Sequence, residues 1–257
     1  MKTIKHLGLV IIFLITLQSY SQTAEEIVDT YIENIGGQEA WSKINSMRIK
    51  GNAKQQGIDY AFVATFMKDG RTLIDVDLQG SSFIVEAFDG ETFWAMNFQT
   101  RKAEAADSEA SKNYKIDAKD NVPDALVNYK EKGYSVELLG NESFDGTNCF
   151  KIKLTKTPLL VEGKQEDNVV FYYFDAESFV PIAQESTVKS GPGKGMIVQE
   201  LISDYQEVDG LYIAFSNEQK FDGNTGLVMN ITSVEFNVEI DESIFKMPEE
   251  ETVITKD

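Results

Sequence analysis

The sequence predicts a mainly β fold of the α+β class: a half-open antiparallel β-barrel of about eleven strands with an N-terminal helix. From about residue 46 onward, apolar and polar residues alternate through most of the chain. Asp-Gly and Gln-Gly pairs separate the alternating segments, and such pairs favour tight hairpins because glycine accepts a positive φ. A sheet this wide with one apolar face must curl, which leaves a concavity to be filled by helices, a ligand or both.

Residues 1–21 are predicted to be a secretory signal peptide. Lys2 and Lys5 precede an apolar run, and small residues lead to a cleavage site near Ser21/Gln22. We therefore expect a periplasmic protein whose residues 22–257 form a single domain. No later stretch is long and apolar enough for a transmembrane helix.

Composition argues against several classes of function. His6 is the only histidine and lies in the leader, so the mature chain lacks the commonest general base and metal ligand. A net charge of −18 argues against nucleic-acid binding, which requires basic patches. Cys149 is the only cysteine and is expected to be a buried, inert thiol. We expect no enzymatic activity, no metal and no cofactor.

The mature chain is predicted to open with a helix. Thr23 and Glu26 have the spacing of a capping box, and Gly36-Gly37 ends the periodic segment. A second short helix is expected over residues 38–44, with Trp41 on its buried side.

The strand pattern is interrupted at residues 100–132, which are polar and predict one or two short helices. The second of these is expected to begin at Pro123-Asp124 and to stop at Gly133. Residues 156–167 and 190–195 are predicted to be irregular loops.

Alternation also predicts which side chains line the concavity, although most such residues in any β domain are plain core. An incompletely closed barrel favours a ligand-binding interpretation, because it leaves apolar lining that a dry core does not need. The predicted lining residues are Phe62, Phe66, Ile74, Val76, Phe83, Val85, Trp94, Met96, Phe171, Tyr173, Phe215 and Met229.

One stretch of the sequence has a spacing of acidic residues similar to that of a calcium-binding loop. Residues 75–86, with Asp75, Asp77, Gly80 and Glu86, nearly match an EF-hand loop. An EF-hand requires flanking helices, whereas both flanks alternate as strands do, so we predict a hairpin without calcium.

Several stretches resemble the LolA and LolB superfamily of periplasmic lipoprotein carriers, specifically the LolA-like outer membrane lipoprotein-sorting proteins. They are the opening helix, residues 23–37; Asp89 to Asn97; Ser203 to Gly210; and Phe236 to Pro248. The chain departs from the family pattern at Phe98-Gln99 and at Ala214.

The resemblance implies helices across the mouth of the barrel and a cavity for the acyl chains of lipoproteins or other lipids. It implies that Trp94 and Met96 line this cavity and that residues 107–130 form a helical lid, with Leu126, Val127 and Tyr129 as the apolar side of its second helix. It also implies an inner-membrane release complex and an outer-membrane acceptor as partners.

Three alternatives remain open. The first is a protein-interaction or sensor domain on the same fold, which an exposed apolar patch at Leu159, Leu160 and Val161 would favour. The second is an exported hydrolase that uses paired carboxylates. The third is a structural domain with a collapsed core and no ligand.

Overall fold

The computed structural model describes residues 22–191 and 193–248, so the predicted signal peptide lies outside the described residues. The helices of this part of the chain are α1 (Ala24–Asn34), α2 (Gln38–Ser42) and α3 (Ser108–Asp117), with 3₁₀ turns at Ala118–Asp120 and Glu242–Phe245. The strands are β1 (Ser46–Gln55), β2 (Ile58–Met67), β3 (Thr72–Leu78), β4 (Ser81–Phe88), β5 (Phe93–Asn97), β6 (Lys102–Ala105), β7 (Ser135–Phe144), β8 (Thr147–Val161), β9 (Lys164–Asp175), β10 (Pro181–Thr187), β11 (Ile197–Val208), β12 (Leu211–Phe221) and β13 (Asn224–Phe236).

All these strands belong to one antiparallel sheet, which is not closed. Strands β1–β6 form one meander and β7–β13 another, and pairing between β1 and β13 joins the two. The sheet edges are β6 and β7, so the chain passes from one edge to the other through residues 106–134. The predicted half-open antiparallel barrel of the α+β class is confirmed.

The sheet has 13 strands in the described residues, where the sequence indicates about eleven. Strand β6 is short and polar, and it lies inside the segment predicted to be helical. Residues 156–167 were expected to be an irregular loop, but they form the end of the β8–β9 hairpin. The hairpin predicted in place of a calcium loop is confirmed, since β3 and β4 pair on either side of Gly80.

The N-terminal helix forms as its caps predict. The Thr23 backbone N–H donates to Glu26 Oε2 at 2.9 Å, and the Glu26 N–H donates to Thr23 Oγ1 at 3.2 Å. At the other end, a Cβ at Gly36 would lie 2.6 Å from the Gly210 carbonyl oxygen. Glycine therefore allows the end of α1 to pack against the β11–β12 turn.

Helix α3 bridges strands near the two edges of the sheet. Ser111 Oγ accepts a hydrogen bond from the Phe93 backbone N–H of β5 at 3.2 Å. On the other side, Asn113 makes two hydrogen bonds to the Leu160 backbone of β8, at 2.6 and 2.8 Å. The second helix predicted in this segment is not present, because residues 124–133 form a series of turns. Asp124 stabilises the first turn by accepting from the backbone N–H of Leu126 at 2.8 Å.

We call the sheet face that carries α1 the inner face and the opposite one the outer face. The main core lies on the inner face over β7–β12, where α1, α2 and residues 122–134 pack. Helix α2 also covers one end of β1 and β13, where Trp41 packs on Phe236, and α3 covers the end of β4, where Tyr114 packs on Phe88. The inner-face side chains between these contacts line the cavity described below. No helix among the described residues is long and apolar enough to cross a membrane.

Candidate functional site

An apolar cavity of about 380 Å³ lies on the inner face where the two meanders meet, over β1–β4, β12 and β13. Every lining residue comes from a strand, and none is charged: Ile49, Ala53, Tyr60, Phe62, Ala64, Phe66, Ile74, Val76, Val85, Ala214, Asn217, Leu227, Met229 and Ile231. Its volume falls in the range of about 300–1,000 Å³ typical of small-molecule sites.

The apolar surface continues from the cavity to the tips of two hairpins. Ile58 lies two residues before Tyr60, and Leu78 lies two residues after Val76, so strand alternation places both on the same face as the cavity lining. Ile58 is 54% exposed and Leu78 is 37% exposed. An apolar chain entering the cavity at this end would therefore meet apolar side chains before it reaches the interior.

Six of the predicted lining residues line this cavity: Phe62, Phe66, Ile74, Val76, Val85 and Met229. Phe83 pairs with Val76 and so shares its face, but it does not line the cavity. Phe215 is buried in the main core instead.

The prediction that Trp94 and Met96 line the cavity is wrong, because both lie on the outer face. Trp94 is fully buried beneath the C-terminal 3₁₀ turn, and its indole Nε1–H donates to the Phe245 carbonyl oxygen at 2.9 Å. Met96 follows on the same face of β5. The neighbouring Phe93 is the inward residue, stacked on Tyr114 of α3 with ring centroids 4.4 Å apart.

Phe171 and Tyr173 are also on the outer face, contrary to prediction. They pair with Lys153 and Lys151, and Lys151 Nζ lies 5.7 and 4.9 Å from their ring centroids. Tyr173 packs there with the buried Cys149. Tyr172, between them, faces inward.

The three residues expected on the lid belong to the main core. Leu126, Val127 and Tyr129 are at most 3% exposed and pack in the same cluster as α1. None of them lines the apolar cavity. They hold the crossing segment in place rather than covering a ligand site.

Two further chambers with carboxylates in their lining lie on the inner face, and the sequence pattern did not predict them; we call them the polar chambers, although apolar side chains also line the first. Only the first adjoins the apolar cavity. The first, of about 260 Å³, shares Ile49, Ala214, Asn217 and Ile231 with the apolar cavity. The second, of about 280 Å³, shares Asn121, Asp124, Tyr172, Gln184 and Glu200 with the first. These residues come from distant segments, so no local spacing in the sequence brings them together.

The chambers contain carboxylates held by neutral donors. The Tyr31 hydroxyl donates to Asp124, and the side-chain amides of Gln184 and Asn217 donate to the two oxygens of Glu200. Burial, followed by the nearby Asp124 carboxylate, raises the pKa values of Tyr31 and Tyr172 well above 10.0. These hydroxyls therefore stay protonated at neutral pH.

Lysines accompany the remaining carboxylates. Lys156 Nζ lies 2.7 Å from both Asp117 Oδ1 and Asp120 Oδ2. Lys132 Nζ lies 3.0 Å from Asp120 Oδ1. Among the described residues, no group of three or more His, Cys, Asp or Glu side chains has the arrangement of a metal site.

Comparison with solved structures identifies the fold. A LolA superfamily protein from Nitrosomonas europaea matches 88% of this chain and 98% of its own, with a TM-score of 0.52 and 13% identity. The chain has a LolA-like fold. A DUF1329 family protein from Desulfovibrio piger matches the LolA-like fold of this chain equally well, with the same coverage and TM-score and 12% identity. The sequence matches no family profile and no curated protein.

Proposed function

We propose that this protein is a periplasmic carrier that binds acyl chains of lipoproteins or other lipids in the apolar cavity. The main support for this proposal is the lining of the cavity, which comes entirely from strands and contains no charged side chain. Each buried methylene contributes about 0.8 kcal/mol, so an acyl chain can bind there without any polar contact.

The function is binding and transfer rather than catalysis. The cavity lining offers no carboxylate, thiol or amine beside the place where an acyl chain would lie. The predicted leader supports export, after which a release complex at the inner membrane and an acceptor at the outer membrane would load and unload the carrier.

The interaction-domain alternative loses the feature that would have favoured it. Leu159 and Leu160 are half-buried, and Val161 is buried. Their strand β8 is covered at this point by Asn113 of α3. These residues therefore do not form an exposed apolar patch.

The proposal is tested by the uptake of a fluorescent fatty alcohol, which carries no charge, together with native mass spectrometry of protein purified from the periplasm. Val76→Asp introduces a charge into the cavity, and Val63→Asp introduces it on the outer face of the neighbouring strand, where Val63 is also half-buried. We expect Val76→Asp to abolish uptake and Val63→Asp to preserve it. A clean apo mass and no uptake by the unmodified protein would refute the carrier function.

A further inference from the structure

The three cavities lie in a row along the inner face, and neighbouring cavities share lining residues. Asn217 and Ile231 line both the apolar cavity and the first polar chamber, and Tyr172 and Glu200 line both polar chambers. A molecule with an apolar chain and a polar head can therefore place its chain at one end and its head at the other.

The polar chambers carry an excess of negative charge. Four carboxylates line the second chamber, those of Asp117, Asp120, Asp124 and Glu200, together with a single ammonium, that of Lys156. Lys156 pairs with Asp117 and Asp120. Neither the Asp124 nor the Glu200 carboxylate has an ion pair with a described lysine or arginine, since their carboxylate oxygens accept only from hydroxyl, backbone and amide donors. Lys132 Nζ donates to the backbone carbonyl of Asp124 instead.

Polar groups without a protein partner face the same space. The Tyr172 residue is 8% exposed and lines both chambers, and its hydroxyl makes no hydrogen bond to any described residue. The Oδ1 atom of Asn217 is also buried and unpartnered, at the junction with the apolar cavity. Since buried polar atoms are nearly always paired, Asn217 Oδ1 points to a hydrogen-bonding ligand, and the Tyr172 hydroxyl is available to the same ligand.

We propose that the polar chambers bind the ammonium head group of an amphiphile whose chain occupies the apolar cavity. This inference rests on the carrier function and names the class of lipid carried. An ammonium group supplies hydrogen-bond donors to Glu200, Tyr172 and Asn217 Oδ1, and its charge complements the two carboxylates that lack a cation. Phosphate and carboxylate head groups meet like charge there.

The test compares three ligands that differ only in the head group: dodecylamine, dodecanol and dodecanoate. Each displaces a neutral fluorescent naphthylamine dye from the protein at neutral pH and physiological salt. We expect dodecylamine to bind at least about tenfold more tightly than dodecanol, and dodecanoate to bind most weakly. Ethylamine, which has the head without the chain, must bind far more weakly than dodecylamine. Equal binding of the two amines would overturn the proposal.

The head-group recognition can be removed without removing the apolar cavity. Glu200→Gln deletes the carboxylate, and we expect the preference for dodecylamine over dodecanol to fall to within about threefold. Glu177→Gln makes the same charge change at an exposed site in the turn after β9, and should retain the preference. This control separates chamber recognition from the general attraction of an amine to a protein of charge −18.

Tyr172→Phe keeps the proposal testable if Glu200→Gln does not fold, because it removes only the unpartnered hydroxyl. It should weaken the binding of dodecylamine severalfold and leave the affinity for dodecanoate unchanged. If all three ligands bind the unmodified protein equally, the head-group proposal is wrong while the carrier function stands. If none of the three binds, the carrier function itself fails.

Discussion

Lys156 of β8 and Asp120 of the 3₁₀ turn after α3 form a buried ion pair, with Nζ and Oδ2 2.7 Å apart. Their side chains are only 9% and 8% exposed. The pair ties the segment that crosses between the sheet edges to a strand of the second meander. Asp117 and Lys132 extend it into a small network, so each charge has a hydrogen-bonded partner.

Replacing Lys156 by methionine should destabilise the protein strongly. The change leaves the buried carboxylate of Asp120 with Lys132 as its remaining ion-pair partner, and breaking a buried pair in this way costs about 3–5 kcal/mol. Urea unfolding measures the loss. Lys153→Met is the matched control on the same strand, because Lys153 faces outward and its side chain is 34% exposed. Similar losses in both variants would contradict the role assigned to Lys156.

The fold could be predicted from the sequence because its signals are local. Gly80 marks a hairpin turn, and the capping box of Thr23 and Glu26 marks the start of α1. Strand faces were predicted correctly where polar residues mark the other side, as Asp75 and Asp77 do opposite Ile74 and Val76. The order of strands within each meander could also be predicted, because each hairpin joins two neighbouring antiparallel strands.

The faces of two strands could not be predicted, because aromatic residues occupy consecutive positions. Both faces are apolar at Phe93-Trp94 and in the run Phe171 to Phe174. The alternation of apolar and polar residues therefore does not show which of these side chains face inward. Only pairing in the folded sheet decides that Phe93 and Tyr172 face inward. The polar chambers were missed for a different reason, since Asp124 and Glu200 meet through tertiary structure alone.

Filling the apolar cavity should shorten the longest acyl chain that the protein accepts. Ala64 is buried on the inner face of β2 and lines the cavity, so Ala64→Phe places a ring where a chain would lie. Excluding two methylenes costs about 1.6 kcal/mol, more than a tenfold loss of affinity. Affinities for fatty acids of increasing length measure the effect. Ala61→Phe adds the same ring at an exposed position of β2 and should change nothing.

Trp94→Phe should loosen the C-terminal segment without affecting ligand binding. The substitution removes the hydrogen bond from Nε1 to the Phe245 carbonyl, worth about 0.5–1.5 kcal/mol. Limited proteolysis should then cleave the segment after β13 faster, while acyl-chain affinity stays at the level of the unmodified protein. A loss of affinity would place Trp94 back in the binding site, contrary to its position on the outer face.

Glu86→Gln should stabilise the protein at neutral pH. Glu86 lies between Ile74 and Ala95 on the inner face, and burial raises the pKa of its carboxyl above 4.5. The folded state therefore holds this proton more tightly than the unfolded state does. As pH rises from 4.5 through the folded pKa, ionisation of Glu86 lowers the free energy of unfolding of the protein. Glutamine removes that loss. Thermal unfolding should give a higher Tm for the variant at neutral pH and a difference that shrinks as pH falls below 4.5. Glu177→Gln makes the same change at an exposed position and is the control, which should not raise the Tm at neutral pH.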